Sequence, residues 1–87
     1  MKTAFMLFAR YDGLPIIPVE TVCKDFFAPL TPEKFLRKTA NGEIPLPIVR
    51  METKSQKTAK GVHLADLAAY LDKMADAARK EAEALAG

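Results

Sequence analysis

With 87 residues, of which 49% are apolar and 28% charged, the chain has the length and composition of one small globular domain. Its only cysteine, Cys23, excludes an internal disulfide and a cysteine-based metal cluster, and its net charge of +2 does not by itself indicate a nucleic-acid-binding protein. The apolar start resembles a signal peptide, but Arg10 and Asp12 interrupt it before a long enough apolar segment has formed. We therefore expect a cytoplasmic protein that binds no membrane.

A first helix is predicted over residues 3–11, with Thr3 as its N-cap. Its apolar stripe consists of Ala4, Phe5, Leu7, Phe8 and Tyr11. Because the run is short, a buried strand is the alternative. Gly13 ends this element. Residues 16–17, two β-branched isoleucines before a proline, predict a brief extended segment, since the proline ring disfavours helical backbone in the preceding residue.

A second helix is predicted to begin at Pro18, because proline is favoured in the first helical turn. Four residues at helical spacing form its core-facing stripe: Val19, Val22, Cys23 and Phe26. We expect the Cys23 thiol to be buried and structural, and not a nucleophile. Residues 28–30, which include a proline, end this helix and turn the chain.

Residues 31–41 predict a third helix, which has two different faces. Thr31 is a good N-cap, Pro32 suits the first turn, and Gly42 favours the left-handed backbone that ends a helix. One face carries Phe35, Leu36 and Thr39. The other, which we call the front face, carries Lys34, Arg37, Lys38 and Asn41. A short helix with such a front face fits the major groove of DNA, and the alternative is an ordinary solvated surface helix.

Residues 16–41 together predict a helix-turn-helix, in which the first helix supports the second and the second reads DNA. Residues 47–64 predict a β-hairpin wing after it, with strands over 48–51 and 62–64 and a polar loop between them. The polar side chains predicted to contact phosphates or base edges from the wing are Arg50, Lys54, Ser55, Gln56, Lys57 and Lys60. A solvated hairpin is the alternative.

The positive charge is concentrated in one part of the chain. Residues 33–60 contain seven basic residues and three acidic ones, and so carry +4, whereas the rest of the chain carries −2. A localised basic region on a nearly neutral protein is typical of a small domain that reads a DNA sequence. We therefore expect double-stranded DNA as a partner and, when the protein is bound to it, a location at the nucleoid.

A long C-terminal helix is predicted over residues 65–86, which are rich in alanine. Its apolar stripe consists of Leu64, Leu67, Ala68, Leu71, Met74, Ala75 and Ala78. The first half is expected to pack on the wing, and the second half to project beyond a domain of this size. A projecting stripe indicates a homodimer through this helix, and the alternatives are that the segment frays or folds back.

The sequence carries no pattern typical of an active site. A P-loop, a dinucleotide-binding glycine motif and paired carboxylates are all missing. His63 has neither a cysteine nor a second histidine near it, so we expect a core or rim side chain or a phosphate contact, and no metal ligand. We expect no enzymatic activity, no metal and no cofactor.

Most of the chain, from residue 3 to residue 72, resembles one known family. The matching stretches are IP at 17–18, LTPEKFLRK at 30–38, GEI at 42–44, LPIVR at 46–50, SQK at 55–57, AKGVHL at 59–64, DLA at 66–68 and YLD at 70–72. In these stretches the chain resembles the pyocin activator protein (PrtN) family of bacterial transcription regulators. More distantly, it resembles the excisionase and AlpA-type small winged helix-turn-helix proteins.

The resemblance implies an activator that binds short repeated boxes upstream of phage-tail-like bacteriocin or prophage genes and turns them on after DNA damage. An activator of this kind has RNA polymerase as a further partner. The candidate DNA-binding residues are those named above: Thr31, Lys34, Arg37, Lys38, Asn41, Arg50, Lys54, Ser55, Gln56, Lys57 and Lys60. Two alternatives are an excisionase-like architectural protein that bends DNA, and a protein-interaction adaptor that uses the C-terminal helix.

The expected fold is mostly α with a small β-hairpin, and thus belongs to the α+β class. A single winged helix-turn-helix domain would occupy residues 1–87, with an added N-terminal helix and a long C-terminal helix.

Overall fold

The computed structural model describes residues 2–55 and 57–87. Along these residues the elements are α1 (Thr3–Arg10), β1 (Ile16–Pro18), α2 (Val19–Phe26), α3 (Pro32–Ala40), β2 (Val49–Arg50), β3 (Lys60–His63) and α4 (Leu64–Ala86). The three strands form one antiparallel sheet in the order β1-β3-β2. Four helices around a small sheet confirm the predicted α+β class, although the sheet contains one strand more than the predicted hairpin.

The core draws buried side chains from every helix and from β1 and β3. The largest of those that are fully buried are Phe35, Ile17, Leu67, Val19, Val22 and Val62. The ring of Phe27 lies 4.9 Å from that of Phe35 and 5.7 Å from that of Tyr70, between centroids. These rings connect α3 to α4, so the orientation of α3 is fixed by the core.

Strand β3 lies at the centre of the sheet and pairs with both of the others. Gly61 of β3 is paired with Pro18 of β1 on one side and with Val49 of β2 on the other. A Cβ atom at Gly61 would lie 2.7 Å from the Ile17 carbonyl oxygen, so only glycine permits this close approach of the two backbones. The hairpin is therefore attached to the strand that leads directly into α2.

Helix α1 packs along the first half of α4. The Thr3 hydroxyl donates to the Asp72 carboxylate near one end of this contact, and the Leu64 N–H donates to the Pro15 carbonyl at 2.9 Å near the other. Beyond this contact no other element among the described residues covers α4, and every residue from 76 to 87 is exposed. The predicted projection of its second half is confirmed.

Several predicted boundaries are wrong because a different residue occupies the N-cap position. Thr3 lies inside α1, whose N-cap is Lys2, and its hydroxyl is used on α4 instead. Pro18 ends β1 and is the N-cap of α2, so it is not in the first helical turn. His63 caps α4, because its Nδ1 accepts the Ala65 N–H at 3.0 Å.

The predicted wing strands also change in length. Since His63 caps α4, Leu64 belongs to the helix, and the strand predicted over 62–64 runs instead from Lys60 to His63. The strand predicted over 48–51 is reduced to Val49–Arg50, an edge strand that follows a proline-rich segment.

The stripe predicted for α1 is only partly buried. Leu7 is buried, and Ala4 and Tyr11 pack against the core, but Phe5 and Phe8 are 63% and 56% exposed. Because α1 contacts the domain along one narrow side, only residues spaced three and four apart reach the core. The stripe of α2 is confirmed: Val19, Val22 and Cys23 are buried and Phe26 is half-buried.

Candidate nucleic-acid interface

Helix α3 has the ends that the sequence predicts. The Thr31 hydroxyl accepts the Lys34 N–H at 3.3 Å, Pro32 is the first helical residue, and Gly42 has a φ of +84°. Phe35 is fully buried. Thr39 is half-buried, and its hydroxyl donates to the Leu36 carbonyl at 2.8 Å. The apolar face of α3 thus points into the core and leaves the front face on the surface.

Two of the cations on the front face have carboxylate partners. The Arg37 guanidinium lies 3.5 Å from the Glu33 carboxylate, one helical turn earlier, and the Lys38 ammonium lies 3.0 Å from that of Glu43. Both ion pairs are well exposed, and pairs of this kind contribute about 0–1 kcal/mol to stability. They therefore do not prevent either cation from contacting another anion.

Neither glutamate was among the predicted site residues. The spacing of Glu33 and Arg37, four apart on one helix, was a signal in the sequence that would have indicated their pairing. The Glu43 pair depends on the turn after α3 and has no such signal.

Asn41 has a structural role in addition to its place on the front face. It is the C-cap of α3, and its Oδ1 accepts the Glu43 N–H at 3.0 Å, which stabilises the turn after the helix. A bidentate contact with adenine uses both the oxygen and the nitrogen of an asparagine side chain. The Asn41 oxygen has a second lone pair and can still accept from a base, but this hydrogen bond restricts the orientation in which the side chain can do so.

An open groove of about 660 Å³ lies between α3 and the edge of the sheet. Its walls include Leu36, Leu46 and Ile48 together with the charged residues Glu33, Arg37, Arg50 and Lys60. Arg50 and Lys60 are directly opposite one another on β2 and β3. Both residues line the groove, so two basic side chains face it from the edge of the sheet.

The loop between β2 and β3 holds the remaining predicted site residues. Lys54 and Lys57 are exposed, and neither lines the groove. The Ser55 hydroxyl accepts the Lys57 N–H at 3.2 Å, so it helps to shape the loop. The predicted contact from Gln56 lies outside the described residues. The structure thus brings Arg37, Arg50 and Lys60 together and leaves the two loop lysines apart from them.

Comparison with known proteins yields one match. A family model described as pyocin activator protein PrtN matches residues 3–78. The chain belongs to the pyocin activator protein family. The match includes α3, the groove and the hairpin, and it ends within the projecting half of α4. No curated protein and no solved structure gives a significant match to the chain.

Other site chemistry is sparse in the described part of the chain. No helix there combines the length and the apolar character needed to cross a bilayer. Within residues 2–55 and 57–87, no three His, Cys, Asp or Glu side chains are grouped as metal ligands would be. Cys23 is buried, as predicted, and burial raises the pKa of its thiol, which lowers its reactivity at neutral pH.

Proposed function

We propose that this protein is a sequence-specific transcriptional activator that binds double-stranded DNA at boxes upstream of pyocin or prophage genes. The observation that carries the proposal is the position of α3. Its front face is exposed on the side opposite the buried Phe35, and the cations of the groove lie beside it. A helix presented in this way fits the major groove, and the family indicates which genes are regulated.

The two parts of the interface would have different tasks. Arg37 would pair with guanine O6 and N7, a contact that contributes about 1–3 kcal/mol of discrimination. Arg50 and Lys60 would bind a phosphate where the DNA backbone crosses the groove beside α3. Lys54 and Lys57 would bind phosphates farther along the same DNA backbone. In this arrangement α2 supports α3 and the β2–β3 hairpin is the wing of a winged helix-turn-helix.

Selection of duplexes from a random DNA pool at near-physiological salt tests the proposal. We expect the parent protein to enrich a repeated box, and R37A to lose or blur one position of that box. R79A is the matched control, because Arg79 is also an exposed arginine paired with a carboxylate, at 2.8 Å from Asp76, but lies on α4. We expect it to enrich the parent's box.

Failure of the folded parent protein to enrich any sequence would overturn the proposal. Equal loss of binding to specific and random DNA in R37A would contradict base reading by this residue. A reporter driven by the enriched box then separates an activator, which raises transcription, from an architectural protein, which bends DNA without doing so.

The projecting half of α4 supports a second proposal, that the protein forms a homodimer through this helix. Leu85, in this half, is 83% exposed and continues the apolar stripe of the first half, whose Met74 is itself 41% exposed. Helix-turn-helix proteins commonly bind two half-sites as dimers. An activator would also contact RNA polymerase, with which it shares the promoter.

A further inference from the structure

A carboxylate lies on the surface that is proposed to meet DNA. Glu33 is in the first turn of α3, its side chain is 85% exposed, and its carboxylate is 3.5 Å from the Arg37 guanidinium. Because the pair is so exposed, it adds little to stability. A negative charge at this position also repels phosphates, so it lowers affinity for DNA in general. A specific hydrogen-bond donor on the DNA would give the carboxylate a function at this position.

The major groove offers few partners to a carboxylate, which accepts hydrogen bonds and donates none. Guanine presents only acceptors there, and thymine an acceptor and a methyl group, so both would be rejected. Adenine presents an N6 amino group beside the N7 acceptor, which would repel a carboxylate, whereas cytosine presents an N4 amino group alone and is the base that glutamate commonly reads. Residues near the start of a recognition helix are the ones that reach base edges.

We propose that Glu33 is a specificity-determining residue that accepts a hydrogen bond from cytosine N4. The guanine read by Arg37 lies on the adjacent base pair. The ion pair shows that the two side chains reach the same part of the surface, so they can meet neighbouring base pairs, which are about 3.4 Å apart along the duplex. The Glu33–Arg37 pair therefore presents an acceptor and a donor to two neighbouring steps. The inference rests on the proposed DNA-binding function of α3.

Glu33 also orients Arg37 before DNA arrives. The ion pair holds the guanidinium on the front face, so less side-chain freedom is lost when it meets guanine. Discrimination then has two parts, since the correct base gains a hydrogen bond and a base that presents an acceptor meets an unpaired carboxylate.

Glu43 provides the matched control. It is also an exposed glutamate paired with a cation of the front face, but it lies in the turn after α3 and not in its first turn. E33Q and E43Q each remove one negative charge from the same surface. Both residues are exposed, so we expect both variants to fold, as equal melting temperatures would verify.

The experiment is selection from the random duplex pool with the parent protein, E33Q, E43Q and R37A. We expect the parent to enrich a cytosine next to the guanine that R37A no longer selects. At that position, E33Q should shift the ratio of adenine to cytosine among the enriched duplexes about tenfold in favour of adenine, because a glutamine side chain pairs with adenine N6 and N7. E43Q should enrich the same box as the parent, and its affinity should rise by a similar factor for every duplex, whatever its sequence.

Two results would overturn the inference, and they are distinguishable. If R37A blurs the parent's box but E33Q enriches the same box as the parent, the role of Glu33 is rejected and the proposed function is retained. A parent protein that enriches no box would reject both.

Discussion

Phe35 is the residue on which the position of α3 most depends. Its side chain is fully buried and packs against the ring of Phe27. We expect F35A to lose about 3–5 kcal/mol, the usual cost of deleting a buried phenylalanine. Such a loss is a large part of the total stability of a small domain. Urea unfolding measures it, with F5A as control. Phe5 is 63% exposed, so a similar loss in F5A would contradict this account of the core.

Asp25 connects α1 to α2 and makes stability depend on pH. The Tyr11 hydroxyl donates to its carboxylate at 2.6 Å, and the Arg10 guanidinium lies 3.2 Å away. The Tyr11 hydrogen bond, together with the hydrogen bond and charge of the Arg10 guanidinium, holds the pKa of Asp25 below its usual value. The resulting stability is present above the pKa of the unfolded chain, about 3.9, and is lost as pH falls through the lower pKa of the folded chain.

We therefore expect D25N to unfold at a lower urea concentration than the parent at pH 7, because the ionised acceptor is gone. Below the folded-state pKa the parent's Asp25 is also neutral, so the difference should shrink as the pH is lowered from 4 toward 2. Unfolding midpoints across this range test it. D76N, which removes an exposed carboxylate from α4, should show little difference at any pH.

At the scale of elements, the two halves of α4 contribute differently to folding. Leu67 and Ala68 in the first half are buried, whereas residues 76–87 are all exposed. At a protein concentration low enough for the parent to be monomeric, we expect a chain that ends at residue 76 to keep the parent's unfolding midpoint, since it loses no core residue. L67A, in contrast, should lose about 2–5 kcal/mol. Sedimentation of the shortened chain also tests the proposed homodimer, which should be lost with the projecting half.

Helices with complete local signals could be predicted from the sequence. Thr31, Pro32 and Gly42 mark the ends of α3, and the stripe from Val19 to Phe26 marks the inner face of α2. These signals act over one or two turns, so periodicity and capping preferences suffice to find them. The same is true of the front face of α3, which the helical repeat alone defines.

The remainder depends on contacts between distant parts of the chain. The pairing of residues 16–18 with residues 61–63 has no local signal. For this reason β1 was expected only as an extended segment. The exposure of Phe5 and Phe8 depends on how much of α1 the domain covers. The groove beside α3 depends on the register that places Arg50 opposite Lys60. Spacing along the chain specifies none of these.

At the scale of the whole molecule, the uneven charge predicts how binding responds to salt. Lys57 is exposed in the loop of the hairpin, away from the front face. We expect K57A to weaken binding to specific and random duplexes alike, and to reduce the slope of log K against log salt by about 0.9, the value for one phosphate contact. K80A, an exposed lysine on α4, is the control. A change in the ratio of specific to random binding in K57A would contradict this role.

Strand β3 joins the hairpin to β1, and β1 leads without a break into α2, on which α3 packs. The front face of α3 and the hairpin are therefore connected through one continuous set of packed elements, which limits how far the distance between them can change. On DNA this distance is counted in base pairs, with a rise of about 3.4 Å each. A protein built in this way would measure its target as well as read it. Individual base pairs could differ among its DNA targets. The targets would share the number of base pairs that separate the base contacts from the phosphate contacts.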